Sequence, residues 1–72
     1  MFPEYEEQMI RLKNADAQFA DLCERHHRLD QAIHDIEAHT VPATYEHLED
    51  LKKQKLQVKD QVYAALRRAG AV

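Results

Sequence analysis

Apolar side chains recur along the first half of the chain at steps that fit a helix: Tyr5, Leu12, Ala15, Phe19, Leu22, Leu29, Ile33 and Ile36. With Leu12 at heptad position a, ten residues from Tyr5 to Ile36 occupy a or d, and only Gln8 and His26 among them are polar. A half-buried strand would need period two, which is absent here. The pattern predicts a helix over about residues 4–38. Pro3 suits its first turn, and Glu4, Glu6 and Glu7 suit the positive end of the helix dipole. Asn14 or Asp16 is the place for a kink or restart, should this helix have one.

The second half carries a matching series, Leu48, Leu51, Lys55, Val58, Val62, Ala65 and Ala69, with Lys55 its polar exception. Thr44 reads as an N-cap, Glu46, Glu49 and Asp50 sit early, and Arg67, Arg68 and Gly70 mark the end, so a helix is predicted over about 45–69. Between the two lies the segment 39–44, where Pro42 cannot continue a helix. A stripe held near 3.5 residues per turn implies left-handed supercoiling, and a short loop makes the two helices antiparallel neighbours. The expected fold is all-α: a single domain over 1–72, an antiparallel two-helix hairpin of coiled-coil type, assembling into a dimer or small bundle. Pairing Ile36 with Leu48 sets a register in which Ile33 meets Leu51, Leu22 meets Val62, Phe19 meets Ala65 and Leu66, and Leu29 lies by Lys55.

A flanking stripe then stands out on the second helix: Tyr45, Lys52, Leu56, Lys59, Tyr63 and Leu66. One helix cannot cover both stripes, so this one is the expected face for a second copy or another protein. Length argues the same way. A 72-residue chain is marginal as a monomer, and an elongated one more so, which favours self-association.

Composition removes several classes. One Gly, two Pro, one Cys and 44% hydrophobic residues exclude a disulfide scaffold, a collagen-like chain and a Gly/Pro-rich disordered segment. No apolar run approaches the ~20 residues of a membrane span, and the acidic opening is the opposite of a signal peptide's basic start. A cytoplasmic protein with no membrane attachment is expected.

Candidate chemistry is sparse. His26 and Lys55 interrupt the apolar stripes, and Asp30 lies one turn from His26, positioned to accept from its imidazole. Such a cluster reads as a register-setting polar core, as single polar a positions do in coiled coils. The five histidines lack the thiolates and close spacing of a structural zinc site, so neither metal nor cofactor is expected. Cys23, at an e position beside the seam, reads as a semi-buried hydrophobe. Lys52, Lys53, Lys55 and Lys59 form a basic patch with acidic neighbours in reach, and the chain carries a net charge of -3. A solvated, ion-paired face is the expectation, with RNA or other nucleic acid as the alternative partner. Two helices enclose no pocket, so no catalytic residues and no enzyme activity are expected.

The runs Asp16–Leu22 and His26–Ile33, then Leu51–Tyr63 with its leucine, lysine cluster, Lys59-Asp60 and tyrosine, resemble the YdcH family of small bacterial proteins of unknown function. The opening Phe2-Pro3-Glu4-Tyr5 is similar as well. The resemblance implies a helical hairpin that often assembles with copies of itself. It brings no established activity and hence no catalytic residues. Arg28 and Cys23 depart from the family pattern, which more often has an acidic or small residue and an apolar one there.

Overall fold

The computed structural model describes residues 2–70, so the first residue and the last two of the expected domain lie outside the described residues. A 3-10 turn, Pro3–Tyr5, leads into α1 (Glu6–Ala15), followed by α2 (Ala17–Glu37) and α3 (Tyr45–Arg68), with no strand among the described residues.

Asp16 decides the architecture. Its backbone is extended (φ -138°, ψ 108°), and its N–H still donates to Leu12 O at 2.8 Å, closing α1. Its carboxylate accepts from the backbone N–H groups of Gln18 (2.9 Å) and Phe19 (3.3 Å), opening α2. One residue thus satisfies orphan amides that a helix start would otherwise leave bare. The helix expected over about 4–38 is therefore two helices, with the restart at Asp16, one of the two positions offered for it. A straight helix of that length would measure about 50 Å, yet the longest dimension of the molecule is 40 Å. The Phe2 and Tyr63 rings lie 5.6 Å apart, while Leu12 and Ala15 sit beside Ala69 and Gly70. So α1 runs along the last turns of α3 in the same direction, and α2 returns antiparallel to α3, with Asp30 at Lys55 and Glu37 at Lys52.

The α2–α3 turn is built from local hydrogen bonds. His39 has φ 61°; its N–H donates to Ile36 O (3.0 Å) and the Thr40 N–H donates to Asp35 O (2.9 Å). This pair of bonds is the Schellman closure, in which glycine is the usual left-handed residue. A non-glycine residue there costs on the order of 1 kcal/mol. Thr44 then caps α3, its Oγ1 accepting from the His47 N–H at 3.1 Å. The far end of α3 closes with Gly70 at φ 73°, a residue that adopts this backbone freely.

Phe19, Cys23, Val58, Val62 and Leu66 form the buried core, packed by Phe2, Tyr5, Met9, Leu12, Leu22, Leu29 and Ala65. Four of those seven come from the chain ahead of Asp16. Because α1 adds this third wall, Cys23 is buried outright instead of semi-buried at the edge of a two-helix seam.

Candidate functional site

The α3 stripe is divided by the returning α1. At its N-terminal half Tyr45 keeps 75% of its surface exposed and Leu56 60%. With Glu46, Glu49, Lys52 and Lys53 they line a shallow groove open to solvent. At the other half the expectation of an uncovered face is corrected at Leu66, while Lys59 and Tyr63 stay exposed. Leu66 has no exposed surface and belongs to the core, and Tyr63 is 39% exposed with the Phe2 ring against it. The Lys59 Nζ lies 5.5 Å from the centroid of that same ring, a cation–π arrangement. The physical reason is the Asp16 break, which brings Phe2 and Tyr5 back over α3. Phe2 is the residue that sequence reasoning missed. Its signal was the aromatic pair flanking Pro3, whose rings lie 6.2 Å apart.

Most of the lysine patch has local partners. Lys52 Nζ lies 3.6 Å from Glu37 and 3.9 Å from Glu49, and Lys55 donates to Asp30 at 2.5 Å. Glu37 reaches Lys52 from the end of α2, while Asp50 accepts from the Gln54 side-chain amide at 2.7 Å. Lys53 faces the open groove.

His26, Asp30 and Lys55 do come together, but differently from the expected buried cluster. Asp30 is exposed and accepts from Lys55, not from His26, so α2 and α3 are tied at a solvent-facing edge. Such a pair contributes at most about 1 kcal/mol. The hydrogen bond from Lys55 holds the Asp30 carboxyl below the usual carboxylate range. His26 is half-buried; desolvation first, then the Lys55 charge, push its pKa below the ordinary value, with Asp30 acting in the opposite direction.

That shift has a sign. With the folded-state pKa below the unfolded one, the contribution of neutral His26 is complete above about pH 6.5. It is lost as pH falls through the lower folded-state value. Thermal midpoints should therefore drop between neutral and mildly acidic pH, and His26→Leu should flatten that drop. An imidazole titration followed by NMR that centres above the ordinary histidine value would refute it.

Among the described residues no three His, Cys, Asp or Glu side chains converge to hold a metal ion. Burial pushes the Cys23 thiol up, the reverse of what a nucleophilic thiolate needs. No described helix is long and apolar enough to cross a membrane. Chemically, the molecule offers a surface: an aromatic–aliphatic strip on α3 bordered by both signs of charge.

A family model described as "Protein of unknown function (DUF465)" matches residues 19–66, from the first core residue of α2 to the last of α3. The chain is 38% identical over 66 residues to "Uncharacterized protein YdcH" of Escherichia coli strain K12, covering 92% of this chain and 89% of the relative. It is equally similar to the protein of that name from Shigella flexneri. No solved structure matches significantly.

Proposed function

The chain belongs to the DUF465 family of proteins of unknown function, and on that premise we propose that it is a non-enzymatic helical module that self-associates and serves protein–protein interaction through the exposed strip of α3. The observation that carries this reading is the exposure of Tyr45 and Leu56 on a fold whose core is already filled from three sides. Large apolar side chains grouped in a charged rim are the usual composition of an interface. A basic patch for nucleic acid receives less support, because Lys52 and Lys55 are paired with carboxylates and Lys59 rests on Phe2.

The double substitution Tyr45→Ala and Leu56→Ala is expected to weaken self-association by about tenfold or more, with helix content unchanged, since neither side chain is in the core. Light scattering across a concentration series reads the first and far-UV circular dichroism the second. An unaltered mass would remove this face from consideration. Association that instead depends steeply on salt and on added RNA would favour phosphate binding.

A further inference from the structure

Resting on that reading, we propose that two copies of this chain pair through α3 in antiparallel orientation, about a two-fold axis level with Gln54, with Tyr45 of each copy against Tyr63 of the other and Glu49 against Lys59.

The spacing is the first ground. Tyr45, Glu49, Lys52, Leu56, Lys59 and Tyr63 are separated by steps of 4, 3, 4, 3 and 4. They are six consecutive a/d positions of a second heptad seam, rotated from the one buried against α2. The steps read the same from either end, as a self-complementary interface requires. In an antiparallel coiled coil each a position faces a d position of the partner. Here that places Tyr45 at Tyr63, Glu49 at Lys59 and Lys52 at Leu56, each layer occurring twice by symmetry.

Within the seam layers themselves, charge separates the two orientations. Parallel pairing of the same seam would set Glu49 on Glu49, Lys52 on Lys52 and Lys59 on Lys59, like charges in three layers. Antiparallel pairing replaces these with a Glu–Lys layer and a Lys–Leu layer, and like-charge juxtaposition is what discriminates between such alternatives. Lys52 is prepared for its layer: Glu37 holds its ammonium at 3.6 Å, leaving the stem to lie under Leu56 of the other copy. Phe2, already against Tyr63, backs the aromatic layer onto which Tyr45 lands.

Area is the third ground. The chain exposes 5388 Å², whereas a globular protein of its mass exposes roughly 4,600 Å². The surplus, roughly 800 Å², is what one partner contributes to an interface of standard size. Among the described residues Tyr45 and Leu56 are the most exposed large hydrophobics, and α3 runs for roughly 36 Å, most of the 40 Å long axis.

The test is a charge exchange in the full chain. Glu49→Lys and Lys59→Glu are made singly and together, and dimer Kd is measured by sedimentation or light scattering at low salt, with circular dichroism to confirm helix content. Each single substitution puts like charges in a layer and is expected to weaken the dimer about tenfold or more. The double variant restores an opposite pair and should return to within a few-fold of wild type. Mixing Tyr45→Cys chains with Tyr63→Cys chains should give oxidised heterodimer in preference to either homodimer. Three variants that dimerise like wild type, or a double variant no better than the singles, would overturn this pairing while leaving self-association intact. A wild-type chain that stays monomeric throughout would overturn both.

Discussion

Leu66→Ala is expected to destabilise the chain by about 2–5 kcal/mol, the cost of emptying a fully buried leucine site. The site lies where α1, α2 and α3 meet, with Phe19 and Val62 as the other fully enclosed side chains. A domain of this length has roughly 4–11 kcal/mol in total, so the substitution removes a large share and should lower the thermal midpoint by roughly 10–30 °C. Tyr63→Ala, three residues earlier on the same stripe, should cost about 1 kcal/mol, because Tyr63 is partly exposed and loses chiefly its contact with Phe2. Denaturant melts of the two variants at one protein concentration measure the contrast. Equal, small effects would mean that Leu66 is on the outer face after all and that α1 does not fold back.

The second large effect concerns α1 itself. A chain beginning at Asp16 keeps the α2 cap, the turn and the whole of α3, but loses Phe2, Tyr5, Met9 and Leu12 from the core. If each half-buried side chain contributes about 1 kcal/mol or somewhat more, the loss is roughly 4–6 kcal/mol. It also bares Leu66 and Cys23 to water. The shortened chain is expected to show no cooperative thermal transition at concentrations where the full chain melts sharply. A cooperative melt within a few degrees of the full-length chain would show that the α2–α3 hairpin is stable alone and that α1 is an accessory.

Particular residues explain what was legible beforehand. The α2 and α3 cores follow from 3.5-residue periodicity, and the Phe19–Leu66 and Asp30–Lys55 neighbours follow from one assumption, a short turn between antiparallel helices. Thr44 declared its capping role by residue type and position. Asp16 was ambiguous. The heptad runs through it without a change of phase, so the pattern of apolar positions suits one long helix as well as two. Local chemistry, an aspartate able to cap the amides of Gln18 and Phe19, competes with that pattern and wins in the fold.

The candidate face shows the same division. Spacing alone groups Tyr45, Lys52 and Leu56 on one face, and in the fold all three are exposed. Leu66 was assigned to the same face and is in the core. The antiparallel register already separates it from Tyr63 by setting it against Phe19, and in the fold both belong to the buried cluster, while Phe2 lies on Tyr63. Glu37 as the partner of Lys52 was invisible, because the end of α2 had to be placed before a side chain there counted as near.

By itself, then, the sequence determined an all-helical chain, its main apolar seam and the turn at Pro42. These are local or periodic properties, encoded in residues a few positions apart. Only the tertiary structure decided that α1 folds back at Asp16, that Leu66 belongs to the core and not to the flanking stripe, that Cys23 is fully buried, and that Tyr45 and Leu56 remain as the open strip. Those outcomes depend on which of two apolar stripes captures Phe2, Tyr5, Met9 and Leu12. That competition is settled by total buried area, a long-range quantity that no window of sequence contains.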